Sequence, residues 1–172
     1  TEVVAVGIAT GDVHVLTDST PPALREITAV EPELIRFPTH DGRDIPAFLY
    51  RPHGDGPFPV VLSIHGGPEA QERPMYMYGG FYQYLLAQGI GVIAPNVRGS
   101  TGYGSTYQKR IHHDWGGDEL RDFEHAVKHL HSLGWVDPDR IAVFGGSFGG
   151  FATLSCVSRL PKLWAAGVSI VG

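Results

Sequence analysis

Cysteine is almost missing from this sequence, since Cys156 is the single one among 172 residues. One thiol can form neither an internal disulfide nor a multi-thiolate metal site. We expect Cys156 to lie in a buried helix, where a free cysteine acts as a small apolar side chain. The sequence therefore predicts no metal and no cofactor, and a fold held by its apolar core.

Basic clusters and long apolar runs are missing as well. The formal net charge is −5, which argues against a nucleic-acid or anionic-membrane partner. The longest apolar runs, such as residues 60–64, are far too short to cross a bilayer. The first residues lack the basic-then-apolar layout of a secretion signal. These absences predict a cytoplasmic protein with neither nucleic acid nor membrane as partner.

From residue 33 onward, short apolar runs alternate with helical patterns. The predicted strands are 34–39, 47–51, 58–65, 90–94, 141–144 and 166–171, and the predicted helices are 78–88, 118–133 and 148–160. Such alternation predicts an α/β fold with a mostly parallel sheet and right-handed crossovers, with helices on both faces. Ligands of these sheets bind at the carboxyl ends of the strands.

The helix over 118–133 has the clearest pattern. Its apolar residues recur on one face, namely Leu120, Phe123, Val127 and Leu130. Asp118 is the predicted N-cap and Gly134 the predicted C-cap. We expect Asp137, Pro138 and Asp139 to turn the chain into the strand that follows.

The first 30 residues have a different pattern. Two β-rich runs, residues 3–9 and 13–16, flank the turn-like Thr10-Gly11-Asp12. A lone hairpin is marginally stable in water, so we expect this one to be part of a larger β structure. The predicted division is residues 1–30 as the end of a preceding β domain with its linker, and residues 31–172 as the start of a catalytic domain.

The segment Gly145-Gly146-Ser147-Phe148-Gly149 lies between a predicted buried strand and a predicted helix. A serine hydroxyl is a weak nucleophile that must be presented to a base. A sharp strand-to-helix turn raises it from the sheet, and glycines two residues before and after it relieve the crowding. The pattern predicts that Ser147 is the nucleophile of an α/β-hydrolase fold, and the context disfavours a flexible glycine loop.

An oxyanion hole is predicted beside this serine. The helix that starts after Ser147 points its free N–H groups and its positive end at the site, which makes the N–H of Phe148 a donor. The second donor is expected from His65-Gly66-Gly67-Pro68, the loop after a buried strand. His65 is not the predicted base, because it precedes the serine, whereas this fold orders its triad serine, acid, histidine.

These motifs resemble the prolyl oligopeptidase family of serine peptidases, especially its acylaminoacyl-peptidase and dipeptidyl-peptidase-like branches. The matching blocks occur in order and cover nearly everything after residue 33; they are His65–Pro68, Asn96–Gly104, Asp114–Gly116 and Asp137–Ile141 leading into Gly145–Gly150. The resemblance implies a β-propeller before the hydrolase domain, with residues 3–16 as its last strands.

The resemblance also implies roles for individual residues. Ser147 would be acylated, and Phe148 would give a backbone oxyanion donor. In the dipeptidyl-peptidase branch a tyrosine hydroxyl at the place of His65 completes the hole. Here the His65 ring, or the N–H of Gly66 or Gly67, would serve instead, which favours the acylaminoacyl-peptidase-like branch.

In this fold the acid and the histidine of the triad come from loops after later strands, so we expect both beyond Gly172. The sheet is then truncated after about six strands. Its last predicted strand, 166–171, becomes an apolar edge that pairs with a second chain or aggregates. The isolated chain is expected to be inactive and to need the C-terminal part of the domain or a partner chain.

Other histidines are weaker candidates. His125 and His129 are predicted to lie opposite the apolar stripe of their helix, in solvent, and without a carboxylate or thiolate they make a poor metal pair. His112, beside His113 and Asp114, is a tempting base with an orienting acid. The family pattern makes that segment a structural loop near the site.

Three functions remain open at this point. The first is a serine peptidase that cleaves short peptides or acyl-peptides through a Ser147 acyl-enzyme. The second is a carboxylesterase or amidase, because the elbow does not distinguish esters from amides. The third is an inactive fragment that acts only as a folding or interaction unit.

Overall fold

The structure is a computed structural model that describes residues 2–20, 22, 28–75 and 80–172. Its strands are β1 (Val4–Val6), β2 (Val13–Val15), β3 (Glu33–Pro38), β4 (Asp44–Tyr50), β5 (Phe58–Ile64), β6 (Gly91–Pro95), β7 (Val136–Gly146) and β8 (Ala166–Ile170). Its α-helices are α1 (Phe81–Ala87), α2 (Ser105–Gln108), α3 (Asp118–His131) and α4 (Phe148–Arg159), with short 3₁₀ turns at Lys109–Ile111 and Pro161–Leu163.

Six strands form the main sheet in the order β3-β4-β6-β5-β7-β8. β6, β5, β7 and β8 are parallel to one another. β4 pairs antiparallel with both β6 and β3 at one side of the sheet. The prediction of a mostly parallel α/β sheet is confirmed. β5 lies between two parallel strands, so the loop that follows it emerges beside the end of β7.

Helices cover both faces of this sheet. The apolar residues of α3 and α4 pack on one face against alternate residues of β4, β5, β6 and β7, for example Leu62 and Ile93. α1 packs on the other face, against a smaller cluster that includes Val92 and Ala94. Cys156 of α4 is fully buried, and burial raises the pKa of its thiol to about 12, which confirms the structural role expected for it.

The first two strands form a separate antiparallel pair, with Val4 opposite Val15. Their side chains are largely exposed. The predicted hairpin is confirmed, with shorter strands than the apolar runs suggested.

Two predicted helix boundaries are wrong. Asp118 is the first residue of α3 rather than its cap, and its N–H donates to Asp114 Oδ2 at 2.9 Å. The C-cap is Ser132, not Gly134. Cap side chains are read from local sequence, whereas here the capping carboxylate comes from the preceding loop.

Two further segments differ from their predicted limits. The predicted turn at residues 137–139 lies inside β7, where Val136 pairs with Phe58 and the next pair is Ile141 with Val60, so the intervening residues bulge out. The predicted helix over 78–88 begins at Phe81 and ends at Ala87, and its first residues, 78 and 79, lie outside the described part.

β8 is the last strand of the sheet, and it pairs only with β7 among the described residues. Val168 and Ile170 are about half exposed. The apolar edge predicted for this strand is therefore present, and its self-association remains a prediction. Within the described residues, no helix combines the length and apolar character that a bilayer crossing requires.

Candidate active site

Ser147 lies at the bend between β7 and α4. Its backbone has φ 57° and ψ −124°, a conformation that L residues rarely adopt. The side chain is exposed, and its hydroxyl makes no hydrogen bond with any described residue. A strained residue with a free, exposed hydroxyl at the carboxyl end of an interior strand is the arrangement expected of a nucleophile elbow.

Glycines around the bend are required by close backbone contacts. A Cβ on Gly145 would overlap the carbonyl oxygen of Gly149, and a Cβ on Gly149 would overlap that of Ile64. A Cβ on Gly150 would lie 2.7 Å from a carbonyl oxygen of β8. Gly146 is the exception, because a Cβ there meets nothing nearer than 3.8 Å. The expected steric role is confirmed for the glycines two residues before and after the serine.

The N-terminus of α4 points an unused donor toward the bend. The N–H of Ser147 donates to Ile170 O at 3.0 Å, and Ser147 O accepts from the N–H of Phe151. The N–H of Phe148 has no acceptor among the described residues. Its side chain is buried against Trp115, with ring centroids 5.2 Å apart, so packing fixes the position of this free N–H.

The glycine loop after β5 lies directly against the elbow. A Cβ on Gly66 would be 3.5 Å from Ser147 Cβ and 3.4 Å from Gly146 O. Gly67 has φ 125°, and a Cβ there would be 2.8 Å from Glu69 N. The loop thus packs in ordinary van der Waals contact with the serine bend, while the glycine at position 67 is required by the turn of the loop itself.

The ring of His65 is buried within the same loop. Nδ1 is 2.7 Å from Gly66 O, and Nε2 is 2.9 Å from Ser100 Oγ. Burial lowers the pKa of His65, and the hydrogen bond to Gly66 offsets part of that effect. Both ring nitrogens thus have protein partners, and neither bonds to Ser147.

Polar residues to which the sequence motifs assign no role hold this loop in place. The side-chain amide of Asn96 accepts from the N–H of Glu72 at 2.8 Å and donates to Glu72 O at 3.1 Å. The N–H of Thr101 donates to Ala70 O at 2.8 Å. Asn96, Arg98 and Ser100 are all buried. These three polar residues occupy every second position directly after the buried strand β6. That pattern indicates buried polar side chains, which need hydrogen-bond partners nearby.

The other histidines lie outside this arrangement. His112 Nε2 is 2.8 Å from Glu69 Oε1, while the Asp114 carboxylate caps α3 instead of orienting a histidine. The prediction that His125 and His129 lie in solvent holds only in part, because both side chains are partly buried. His125 Nδ1 is 3.1 Å from Pro38 O, and His129 stacks on Phe37 with centroids 5.7 Å apart.

No group of three or more potential ligands for a metal ion occurs among the residues that the structure describes.

The model of the prolyl oligopeptidase family matches residues 77–172. Dipeptidyl aminopeptidase BIII of Pseudoxanthomonas mexicana is 42% identical over 118 residues, which are 69% of this chain and 17% of that protein. The uncharacterized peptidase YuxL of Bacillus subtilis is 36% identical over 155 residues, 88% of this chain and 23% of that protein.

Solved structures are similar over almost the whole chain. A puromycin-hydrolyzing peptidase of Mycobacterium tuberculosis has a TM-score of 0.84 at 31% identity and covers 99% of this chain and 27% of its own. The acylaminoacyl peptidase of Pyrococcus horikoshii has a TM-score of 0.82 at 25% identity, with 93% of this chain and 26% of its own covered.

This chain spans between 17% and 27% of the lengths of these four proteins. Both branches suggested by the sequence motifs are represented among them. The family model covers more than half of the chain, and the solved relatives share its sheet and helices. The chain therefore belongs to the prolyl oligopeptidase family.

Proposed function

We propose that Ser147 is the nucleophile of a serine-type peptidase that cleaves short peptides or acyl-peptides. The observation that carries this proposal is the exposed Ser147 side chain, whose hydroxyl has no described partner, in a residue next to the free N–H of Phe148 and in contact with the loop of Gly66. Family membership supports it, since the relatives named above are peptidases by name.

In the proposed reaction, a base removes the proton of Ser147 while Oγ attacks the carbonyl carbon of the substrate. The carbonyl oxygen becomes an oxyanion that accepts hydrogen bonds from the N–H of Phe148 and from the glycine loop. The C–N bond breaks, and the amine leaves with the proton held by the base. Water then hydrolyses the Ser147 ester and restores the hydroxyl.

The His65 ring is the weaker of the two alternatives for the second oxyanion donor. Its nitrogens already face Gly66 O and Ser100 Oγ, and donation to a substrate would break one of these contacts. The backbone N–H of Gly66 or Gly67 requires no such exchange, because neither has an acceptor among the described residues.

We place the base and its acid outside residues 1–172. No described histidine hydrogen-bonds to Ser147, and both ring nitrogens of His65 already contact Gly66 O and Ser100 Oγ. The order of triad residues in this fold also puts the acid and the histidine after the serine. In the same proposal, residues 1–30 end a preceding β domain, and residues 31–172 begin the catalytic domain.

A fluorophosphonate probe tests the nucleophile. The full-length protein should be labelled stoichiometrically, and Ser147→Ala should abolish both labelling and hydrolysis while near-ultraviolet circular dichroism stays unchanged. The isolated 172-residue chain should label at least about a thousandfold more slowly, because the base is absent. Rapid labelling of the isolated chain would show that it holds its own base and would contradict this assignment.

Substrate assays separate the peptidase from an esterase. Aminoacyl and acyl-aminoacyl anilides should be hydrolysed by the full-length protein, together with short acyl esters. Ester turnover without any amide turnover would favour the carboxylesterase alternative. Absence of labelling and of both activities in the full-length protein would leave a folding or interaction role.

A further inference from the structure

The proton on the buried His65 ring can be assigned from its two partners. Gly66 O can only accept, so the nitrogen 2.7 Å from it, Nδ1, must carry hydrogen. In the neutral ring Nε2 is then an acceptor, and the Ser100 hydroxyl, 2.9 Å away, is its donor. If the ring gains a second proton, Ser100 can turn its own proton to Val97 O, which is 2.7 Å from Oγ. Nδ1–H donates to Gly66 O in both states.

That hydrogen bond fixes the direction of the next N–H. Gly66 O and the N–H of Gly67 belong to the same trans peptide group, and in such a planar group the two bonds point in opposite directions. Because the His65 ring holds the carbonyl, the Gly67 N–H is turned away from the ring. It has no acceptor among the described residues.

We propose that Ser100 is a positioning residue for catalysis: through His65 it holds the Gly66–Gly67 peptide so that the Gly67 N–H is aimed at the oxyanion. This inference rests on the proposed acyl transfer by Ser147 and adds a residue to it. Ser100 does not touch the substrate; it supplies the donor that keeps one orientation of the His65 ring.

The position of Ser100 is itself fixed by contacts of its own segment. Arg98, two residues before Ser100, is buried and donates from Nε and Nη2 to the two carboxylate oxygens of Asp122, at 2.8 and 2.7 Å. Ser100 N–H also donates to Val97 O at 3.0 Å. A fork-shaped contact between guanidinium and carboxylate fixes orientation as well as distance. The segment thus presents the hydroxyl from a rigid support attached to α3.

The loss of the Ser100 hydroxyl would leave Nε2 buried without a donor. A buried polar atom without a partner is unfavourable, so the ring would turn or change its tautomer and release Gly66 O. The Gly67 N–H would then have to be aligned during the reaction, and it would stabilise the transition state less. The effect should therefore appear in kcat rather than in substrate binding.

The first test compares Ser100→Ala with Thr101→Ala in the full-length protein. We expect Ser100→Ala to lower kcat about tenfold, a fraction of what complete removal of an oxyanion donor costs, with KM changed less than twofold. A peptide trifluoromethyl ketone, which forms an oxyanion on the serine, should lose affinity by the same factor as kcat/KM. The Ki of a cleaved peptide product should not change. Thr101→Ala is the control, because the contact of Thr101 with Ala70 uses backbone atoms.

A second pair of variants tests the ring directly and does not depend on the folding of Ser100→Ala. The side-chain amide of His65→Asn can replace Nδ1–H and donate to Gly66 O, whereas that of His65→Gln reaches toward Ser100 as Nε2 does. We expect His65→Asn to retain at least about tenfold more kcat than His65→Gln. Equal activity of the two, or a more active His65→Gln, would contradict the proposed hydrogen bond to Gly66.

The outcomes separate the two proposals. If the wild-type protein hydrolyses peptides and Ser100→Ala matches it in kcat and in ketone affinity, the positioning role is wrong and the proposed function stands. If Ser100→Ala weakens the ketone and the product equally, its role is structural and the inference is again wrong. If the wild-type protein neither reacts with fluorophosphonate nor cleaves any peptide, the proposed function fails, and the positioning role fails with it.

Discussion

The Cα of Gly149 faces the carbonyl oxygen of Ile64 so closely that a methyl group on Gly149 would overlap that oxygen. The contact joins the first turn of α4 to the last residue of β5, so it sets how far the serine bend lies from the glycine loop. Since both atoms belong to backbone, the contact cannot relax through a side-chain rotation.

Gly149→Ala should therefore be strongly destabilising. We expect a loss of about 3 kcal/mol in the free energy of unfolding, because the added carbon forces a helix away from a strand. Gly146→Ala is the matched control, since its Cβ would meet nothing within 3.8 Å, and it should change stability by less than about 1 kcal/mol. Urea denaturation measures both, and similar losses for the two variants would contradict the steric argument.

The strain at Ser147 predicts that glycine at this position gives a more stable protein than alanine does. A residue with φ 57° and ψ −124° stores about 1–3 kcal/mol, and glycine adopts this conformation freely. After the larger entropy loss of glycine is subtracted, Ser147→Gly should be about 1 kcal/mol more stable than Ser147→Ala. Neither variant has a hydroxyl, so the comparison in chemical denaturation isolates the backbone. A more stable Ser147→Ala would show that the bend is not strained.

The buried ion pair between Arg98 and Asp122 should be more important for stability than the outer contact of Arg98 with Asp41. Asp122 is fully buried and also accepts from Thr39 Oγ1 at 2.7 Å, whereas Asp41 lies 3.4 Å from the guanidinium and is partly exposed. Asp122→Ala leaves a buried cation without its main partner and should cost about 3–5 kcal/mol.

Asp41→Ala is the control for that variant and should cost less than about 1 kcal/mol. High salt should widen the difference between the stability losses of the two variants, because screening weakens exposed ion pairs more than buried ones. Thermal unfolding at low and high ionic strength provides the measurement. Equal losses for Asp41→Ala and Asp122→Ala would mean that Arg98 is held by its surroundings rather than by Asp122.

Much of the site could be predicted from sequence because the elbow is a local structure. Five consecutive residues between an apolar strand and an apolar helix specify the bend, and the glycines at His65–Pro68 identify the loop that packs against it. The parallel sheet followed from the alternation of elements. In a parallel sheet the carboxyl ends of neighbouring strands lie side by side. The glycine loop after β5 could therefore be placed beside the bend after β7.

The contacts that depend on distant segments could not be predicted in this way. Ser100 and His65 are separated by 35 positions, and their contact requires the relative placement of two loops. Helical periodicity identified the face of α3 that packs in the main core. It could not show that β3 contacts a second face, which carries His125 and His129. The cap of α3 from Asp114 depends on the path of the preceding loop.

The buried Glu72 predicts an unusual pH dependence of stability. Burial raises the pKa of its carboxyl from 4.5 to about 7, and hydrogen bonds from Tyr82 and from the N–H of Arg73 keep it from rising further. One of its oxygens, Oε1, has no hydrogen-bond partner in the described part of the chain. Between about pH 4.5 and pH 7, the Glu72 carboxyl is therefore more often protonated in the folded than in the unfolded chain.

A carboxyl with a higher pKa in the folded than in the unfolded chain binds more protons when folded. Its contribution to the free energy of unfolding is therefore largest below about pH 4.5 and falls as pH rises to about 7. The loss reaches at most about 3 kcal/mol, because each pH unit between the two pKa values is worth 1.36 kcal/mol. Glu72→Gln removes this titration, so the variant should gain stability relative to wild type between pH 5 and pH 8.

Urea denaturation of both proteins at several pH values measures that difference, and the other carboxyls cancel from it because both proteins contain them. Glu69→Gln is the control. Glu69 is exposed, and hydrogen bonds from Gln108 and His112 lower its pKa, so its titration acts in the opposite direction. If the difference between Glu72→Gln and wild type stayed constant from pH 5 to pH 8, Glu72 would be ionised in the folded protein, and its side chain would need a partner.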